Sequence, residues 1–491
     1  MDNLLQSTAF VLIALLLVVF YHFARAGDIP CPAGMPTVAT RIPWLGSAVN
    51  FVFRRTSFLD ECRLRHGPAY KLFIAGRHVV VVSSPKLISS VVETSPKVLL
   101  SPEEKGLKLM GGLSEGLPRA IQLLHRTTYS FLSTGLSKRS MATVTVPMNN
   151  DLFSRLYGRI STQGEVDVHL REFVGRNLYC TSSTAFFGAR LVPDTFSDFS
   201  AMDDGMFFMS NQLNFLSPGA YRARSRMTDV LTQYIQEAWT GSDDFCIEDA
   251  SPIISESIQE FREGGISMLE AARLLVYLIW GFNSNLIHTT VNALAYLLSD
   301  PAVYHRVVAD TRKALCDTYP DFEMLLNADP DALDCDAFAI LDSIIQETLR
   351  ISSLASSFRE ALRDVHLNDD NGSSYLIRKG DLVIADVRGM HYDPSVFPNP
   401  HAFIADRFLI CKETNKMRGV KTFRPWGGGN YICRGREFAQ YATKMFLLQI
   451  IYLFDIAPVE IEPSLETNHA LVVARLRGSP VIRLRKRTMH Q

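Results

Sequence analysis

The sequence lacks several features that would place it in other classes of protein. Its eight cysteines form no C-x-x-C pair and no cluster with the spacing of metal ligands, which argues against a disulfide framework and favours a reducing compartment. Lys and Arg number 50 and Asp and Glu 51, so no basic excess points to nucleic acid. After residue 50 there is no low-complexity linker or internal repeat, and we therefore expect one large domain.

Charge is also absent from residues 4–24, and residues 8–21 are almost wholly apolar. A helix of about 20 such residues spans the hydrocarbon layer of a bilayer. Asp2 precedes the segment and Arg25 follows it, which favours a cytosolic C-terminal side. A cleaved signal peptide is the alternative, but no basic region precedes the apolar run. We predict an uncleaved single-pass anchor at 1–28.

Beyond the anchor, prolines and a glycine at 30–36 predict a stiff linker over 29–50, followed by a single domain over 51–491. Two β-rich runs, 70–75 and 78–83, are separated by Gly76-Arg77 and predict a hairpin. Glycines scattered through 101–118 predict a mobile loop. Residues 374–391 and 471–487 are interpreted as short strands, the latter turning at 478–480.

One short stretch organises the chain: three glycines, 427–429, precede the lone Cys433. Glycine is used where backbone turns sharply or lies close to a flat ligand. Residues 438, 442, 445 and 446 then form one apolar face at helical period. Cys433 is thus predicted at a helix N-terminus, which favours a thiolate. Such a sulfur suits a haem iron; a buried, unreactive cysteine beside a glycine turn is the structural alternative.

The stretch resembles the haem-binding signature of the cytochrome P-450 family, aromatic-x-x-Gly-x-x-x-Cys-x-Gly. Trp426 stands in place of the usual Phe, followed by Gly429, Cys433 and Gly435. The resemblance implies that Cys433 is the axial ligand of haem b. Tyr431 occupies a position where many members carry Arg or His, so one propionate contact of the family is not implied here.

A long apolar segment starts at the capping-box pattern Ser267-Met268-Leu269-Glu270 and runs to Ser299, before Pro301. It predicts a helix of about 50 Å that crosses the domain. Its middle carries an unusual set of small and polar residues: Gly281, Asn283, Ser284, Asn285, His288, Thr289 and Thr290. Buried polar groups need partners or a function, although Ser and Thr often bond back to the preceding turn.

By resemblance, this is where the family carries the acid and alcohol that help deliver protons for dioxygen activation. In the register counted from Pro301, Ser284 replaces the acid and Asn285 the alcohol. A register at 288–290 is the alternative. Trp280 followed by Asn285 is similar to two branches of the family, the cholesterol 7-alpha-hydroxylases and the prostacyclin synthases. Ser284 and Asn285 are therefore the candidate catalytic residues.

The resemblance also implies supporting residues. Glu347 and Arg350 share one helical face, and Arg407 follows at the family's spacing; the three would form a buried network that positions the haem loop. Arg359 matches a position that pairs with a haem propionate, with a surface arginine as the alternative. His125 and Arg126, which we expect to open a helix, are further propionate candidates.

Two surfaces complete the expectations. A Met- and Phe-rich cluster in 202–215 would roof the substrate pocket, although core packing also explains it. Basic residues around Cys433 would attract an acidic electron donor; they are Lys412, Lys416, Arg418, Lys421, Arg424, Arg434 and Arg436.

The resemblance implies a mainly α fold with small β-sheets and a haem-thiolate monooxygenase acting on a lipophilic, terpenoid or steroid-like molecule. Electrons would come from NADPH through NADPH-cytochrome P-450 reductase, with cytochrome b5 as a further partner. The expected location is the endoplasmic reticulum membrane, with the domain in the cytosol. A redox-independent isomerase or dehydratase of a peroxide or oxidised substrate is the first alternative, and a non-catalytic haem or lipid carrier the second.

Overall fold

The computed structural model describes residues 35–487, apart from 41, 43, 102–106, 114–116, 128–131, 139, 159–163, 192–194, 242–248, 355, 412–415, 418–421 and 458–460. The predicted anchor at 1–28 lies outside the described residues. Among the helices that are described, none combines the length and the apolarity needed to cross a bilayer.

Helices make up most of the described chain and surround one long central helix. They are α1 (Ala48–Phe53), α2 (Arg55–His66), α3 (Pro85–Glu93), α4 (Leu117–Thr127), α5 (Ser133–Gly135), α6 (Ala142–Gly158), α7 (Leu170–Phe187), α8 (Phe196–Ser210), α9 (Pro218–Thr240), α10 (Pro252–Glu263), α11 (Met268–Leu298), α12 (Pro301–Thr318), α13 (Phe322–Leu326), α14 (Ala339–Ser352), α15 (Val387–His391) and α16 (Arg436–Leu453).

The strands are short and form small sheets. They are β1 (Ala69–Ile74), β2 (Arg77–Val82), β3 (Leu99–Leu100), β4 (Glu165–His169), β5 (Ser356–Ala361), β6 (Val365–Asn368), β7 (Ser374–Ile377), β8 (Leu382–Asp386), β9 (Ile410–Cys411), β10 (Lys416–Met417), β11 (Phe454–Ile456), β12 (Leu465–Glu466), β13 (Arg475–Leu476) and β14 (Val481–Lys486). The largest sheet has the order β1-β2-β8-β5-β3, and only its β2–β8 pair is parallel. The order β11-β14-β4 forms a second sheet.

The central helix α11 is confirmed with the predicted start. The Ser267 side chain accepts a hydrogen bond from the backbone N–H of Glu270 at 3.2 Å, which satisfies one of the free donors of the first turn. At 1.5 Å per residue α11 is about 46 Å long. Its apolar side chains belong to one large core cluster, to which α4, α6, α7, α9, α14 and α16 also contribute. This helix therefore forms a wall through the middle of the domain.

Several predicted elements are confirmed. The hairpin of β1 and β2 turns through Ala75 (φ 46°) and Gly76 (φ 81°), where glycine suits the left-handed backbone. Helix α16 follows the cysteine as expected. Within the predicted linker at 29–50, Pro36 and Val38 form backbone hydrogen bonds with Lys71 of β1, so these two residues pack against the domain.

Other expectations were wrong. His125 and Arg126 lie in the last turn of α4 instead of opening a helix. Within the predicted loop at 101–118, residues Leu107–Gly111 form a π-helical turn. Strands β13 and β14 do not pair: β13 pairs with β12, and β14 lies between β11 and β4. A turn at 478–480 suggested a hairpin, but strand pairing depends on partners distant in sequence.

Candidate active site

A cavity of about 480 Å³ lies between α11 and the cysteine loop. Its walls are mainly apolar and come from α4, α11, residues 425–439 and residues 471–473. Among the residues that line it are Leu124, His125, Leu132, Leu136, Tyr277, Gly281, Phe282, Asn285, Thr289, Ser357, Trp426, Tyr431, Cys433, Gly435, Phe438 and Val473. A largely apolar cavity with a few polar groups is typical of a site for a cofactor or small molecule.

The cysteine loop is held by its glycines and by one backbone hydrogen bond. Gly429 has φ 60°, and a Cβ on it would lie 2.1 Å from the carbonyl oxygen of Val92 in α3. The backbone N–H of Cys433 donates to the carbonyl of Trp426 at 2.9 Å. A side chain at 429 would therefore push the loop away from α3, whereas glycine lets the two backbones touch.

The Cys433 sulfur faces the cavity, but the thiolate is not favoured by the protein alone. Burial raises the pKa of the Cys433 thiol, and a hydrogen bond from the Gly435 N–H and the charges of Arg436 and Arg434 only partly oppose this effect. The helix α16 begins at Arg436. The protein groups alone therefore do not produce the predicted thiolate, which stays a prediction for the protein with its cofactor bound. A bound metal deprotonates a coordinating thiol and would reverse the balance.

The polar residues in the middle of the central helix α11 lie on two different faces of that helix. Asn285 lines the cavity together with Gly281 and Thr289. The Ser284 hydroxyl points elsewhere and donates to Asp203 of α8 at 2.6 Å, with both side chains buried. Of the two predicted catalytic residues, the structure therefore brings only Asn285 into the cavity. In the alternative register, Thr289 lines the cavity whereas His288 bonds to Asp203.

The supporting network is assembled around one buried carboxylate. Arg350 donates to the two oxygens of Glu347 at 2.8 and 2.9 Å, and Arg407 Nε lies 3.0 and 2.9 Å from the same oxygens. The backbone N–H of Ile404 donates to that carboxylate as well, at 3.0 Å. Burying this charge is tolerable because Arg350 binds the carboxylate with two nitrogens and the Nε of Arg407 is shared between its two oxygens.

His391 connects this network to the cysteine loop, a role that we did not predict from the sequence. Its carbonyl accepts from Arg350 at 3.0 Å, and its Nε2 accepts from the backbone N–H of Arg424 at 3.2 Å. The ring also stacks on Phe423, with centroids 5.4 Å apart. Burial, helped by Arg350, lowers the pKa of His391 to about 3. A single histidine at the end of the five-residue helix α15 shows no periodicity or motif that would reveal such a role.

The three predicted propionate residues lie in different surroundings. His125 lines the cavity. Arg126 does not line it: its side chain is 66% exposed and pairs with Glu260 at 3.1 Å. The Arg359 guanidinium is buried and lies 4.3 Å above the ring of Tyr431, which does line the cavity. His125 therefore lies at the cavity, Arg359 lies behind the lining residue Tyr431, and Arg126 faces solvent, while the propionate contacts of all three stay predictions.

The predicted roof does not lie at the cavity, and only part of the predicted basic surface is described. Residues Met202, Met206, Phe207 and Met209 are buried, but no described residue of α8 lines the cavity, so ordinary core packing explains them. Of the basic residues, Arg424 contacts Ser89 at 2.9 Å and Glu93 at 3.5 Å, and Arg436 pairs with Glu437 at 3.1 Å. The side chains of Lys412, Lys416, Arg418 and Lys421 lie outside the described residues.

Comparisons with known proteins identify the class. The family model for cytochrome P450 matches residues 36–480, and the chain belongs to that family. It is accordingly an enzyme, an oxidoreductase of the monooxygenase type. This membership favours the enzyme over the non-catalytic carrier.

Individual relatives are distant. The rabbit (Oryctolagus cuniculus) 7-alpha-hydroxycholest-4-en-3-one 12-alpha-hydroxylase is 24% identical, over 87% of this chain and 88% of its own length. Human (Homo sapiens) prostacyclin synthase is also 24% identical, covering 88% of each chain. The solved structure of retinoic acid-bound cyanobacterial CYP120A1 is 19% identical with a TM-score of 0.71, over 93% of this chain and 100% of that one. The relatives belong to the branches that the sequence resembles, and the structural likeness shows the fold.

Proposed function

We propose that this protein is a haem-thiolate monooxygenase that inserts one oxygen atom into a lipophilic, steroid-like or terpenoid small molecule. The observation that carries the proposal is that Cys433 and Asn285 line the same largely apolar cavity from different elements. The names of the relatives, which include a sterol hydroxylase, support the substrate class.

The residues present suit haem b. Cys433 would supply the axial thiolate, Gly435 and Trp426 would lie against the porphyrin, and His125 and Arg359 would border its edge. A Cβ built on Gly435 meets no atom within 4 Å, so the loop leaves open space at this position of the cavity wall. When bound, a thiolate-ligated haem supplies the activation of dioxygen.

The side chains of the cavity would orient the reacting molecules and exclude bulk water. The Asn285 amide, with both a donor and an acceptor, would hold water or dioxygen in place of the family's alcohol. Phe282, Leu286 and Phe438 surround that amide with apolar surface. The Glu347 network and His391 would keep the cysteine loop fixed beneath the cofactor.

The partners and location follow from the same proposal. Electrons would come from NADPH through NADPH-cytochrome P-450 reductase, with cytochrome b5 as an additional donor, at the basic surface near Cys433. Residues 1–28 would anchor the protein in the endoplasmic reticulum membrane, and the domain would face the cytosol.

The direct test is turnover of a panel of sterols and terpenoids with a co-expressed reductase, followed by mass spectrometry. We expect products heavier by one oxygen atom, formed only when NADPH and reductase are present, and labelled when ¹⁸O₂ is supplied. Product formation at an equal rate without any reductant would overturn the proposal.

A second candidate is a redox-independent isomerase or dehydratase of a peroxide or oxidised substrate. The likeness to prostacyclin synthase and the absence of an acid–alcohol pair at 284–285 favour it. Its test is the incubation of a lipid endoperoxide with the protein and no NADPH, in which a rearranged product of unchanged mass would support this candidate.

A further inference from the structure

A buried carboxylate outside the haem cavity gathers the polar residues of the central helix. Asp203 of α8 is 3% exposed. It accepts from Trp280 Nε1 at 2.9 Å and from Ser284 Oγ at 2.6 Å, and it lies 2.7 Å from His288 Nε2. These three donors stand one turn apart along the same face of α11. The carboxylate therefore fixes two turns of the central helix to α8.

The same aspartate also binds the strand region on the other side of the cavity. Arg475 of β13 donates to the Asp203 carbonyl and lies 3.5 Å from its carboxylate. Arg475 further contacts the neighbouring Asp204 at 3.2 Å. Residues 471–473, which directly precede β13, line the haem cavity. Asp203 thus holds the chain that forms a second wall of that cavity.

Asp203 connects two walls of the haem cavity. Gly281, Asn285 and Thr289 of α11 form one wall, and Leu471 and Val473 belong to the other. One further bond links them, from Asn292 to the carbonyl of Ala474 at 2.8 Å. The position of Asn285 relative to Val473 therefore depends on the contacts of a residue that does not line the haem cavity.

The charge of Asp203 is maintained by its partners. Burial alone raises the pKa of the Asp203 carboxyl, but the charge of Arg475 and the hydrogen bonds from His288 and Ser284 hold it well below its ordinary range. Burial lowers the pKa of His288, which favours a neutral ring that donates its Nε2 proton. An ionised carboxylate with three hydrogen-bond donors and a nearby arginine is a rigid centre, because each of these groups would lose a charged partner if a wall moved.

We propose that Asp203 is a positioning residue that sets the separation of the two cavity walls and thereby determines which substrates the site accepts. This inference rests on the proposed function of the haem cavity, since it concerns the selectivity of that site. It requires no contact between Asp203 and the substrate.

The surroundings of Asp203 make the residue suitable for substitution. A separate cavity of about 380 Å³, between α7, α8 and α11, is lined by Asp203 and His288. It shares no described lining residue with the haem cavity. An asparagine at 203 keeps the shape of the side chain, and water in this outer cavity can hydrate the groups that lose a charged partner.

The experiment compares D203N with D204N by ligand binding to the haem-loaded protein. Asp204 contacts the same arginine but its side chain is 48% exposed, which makes it the matched control. Imidazole and 1-dodecylimidazole serve as probes, and their dissociation constants are read from the shift of the Soret band. We expect the ratio of the two constants to change by about tenfold in D203N, because a buried charged contact is lost. In D204N the ratio should stay within about twofold of the wild type.

Haem content and the ferrous carbon-monoxide band should remain as in the wild type in both variants. A ratio within about twofold of the wild type in D203N would overturn the proposal, as would an equal change in D204N.

If D203N fails to take up haem, a second variant tests the proposal. S284A removes a single donor to Asp203 and should shift the ratio in the same direction by about threefold. No shift in S284A would then overturn it. Absence of reductase-dependent turnover would contradict the proposed function and leave this binding comparison unaffected.

Discussion

Arg407 Nε lies 3.0 and 2.9 Å from the two carboxylate oxygens of Glu347, although the residues are 60 positions apart in the chain. Arg350 binds the same carboxylate from its other side. Both arginines also donate to the carbonyl of Ala402, each at 3.2 Å. The network therefore ties the irregular chain around 398–407 to α14, and through His391 it reaches the approach to Cys433.

The first prediction concerns this network. Replacing Arg407 with lysine keeps the charge but removes most of the guanidinium donors, which bind the Glu347 carboxylate through Nε and three backbone carbonyls through the two Nη atoms, so we expect a loss of about 2 kcal/mol in the free energy of unfolding. Urea denaturation followed by tryptophan fluorescence measures it. Haem content after expression should fall in parallel.

The control is Arg306, which makes a similar two-oxygen contact with Asp406 at 3.0 Å but at the surface, with 44% and 49% of the two side chains exposed. R306K should cost less than about 1 kcal/mol. Equal losses in R407K and R306K would contradict a special role for the buried network.

Local signals explain which parts of the fold could be predicted. The start of α11 at Ser267 and the hairpin around Gly76 depend on neighbouring residues, and both were predictable. Ser284 was placed in the active site because it replaces the family's acid, yet its partner Asp203 lies 81 positions away and carries no recognisable motif. Likewise, neighbours His125 and Arg126 point to different surroundings, because adjacent helical side chains diverge by about 100°. The direction of a side chain on a helix is decided by tertiary contacts, which a single sequence does not display.

The second prediction tests the axial ligand. C433S should abolish the ~450 nm band of the ferrous carbon-monoxide form, because that band requires a thiolate on the iron. Cys316, which is exposed, provides the control. C316S should retain the band at wild-type intensity. Retention of the band in C433S would refute the assignment of the ligand.

The third prediction separates two glycines of the cysteine loop. G429A would place a Cβ 2.1 Å from the Val92 carbonyl at φ 60°, so we expect it to destabilise the haem-free protein by about 1–3 kcal/mol. Gly435 has φ −88° and open space around a built Cβ. G435A should therefore leave the thermal midpoint of the haem-free protein unchanged but weaken hemin binding, measured by Soret titration.

The two variants are each other's control. If G435A lowered the stability of the haem-free protein as much as G429A, the added methyl group would have to meet protein atoms. That result would contradict our inference that Gly435 faces the cavity.

The fourth prediction is a pH dependence. The pKa of His391 is lowered to about 3 in the folded protein, whereas in the unfolded chain it is about 6.5. Between these values the unfolded state binds the extra proton, so the stability is fully present above pH 6.5 and decreases as the pH falls. The decrease amounts to about 1.4 kcal/mol per pH unit.

H391Q keeps an acceptor for the Arg424 N–H but does not titrate. Between pH 6.5 and 5 the wild type should lose about 2 kcal/mol more than H391Q, as measured by urea denaturation at each pH. The exposed His401 gives the control, because solvent surrounds its ring in both states, and H401Q should follow the wild type. Parallel pH curves for H391Q and the wild type would contradict the buried neutral imidazole.

The last prediction concerns Asn285, a polar residue of α11 that lines the cavity and is our candidate for the family's alcohol. N285L removes both hydrogen-bonding groups at similar volume, so we expect the product formed per NADPH consumed to fall by about tenfold or more, with hydrogen peroxide released instead. N285D keeps an acceptor and should lose less. Thr290 is the control on the same helix, since it is buried, does not line the cavity, and bonds to the Leu286 carbonyl and to Thr443. T290V should keep the coupling of the wild type; equal coupling in N285L would show that Asn285 takes no part in the reaction.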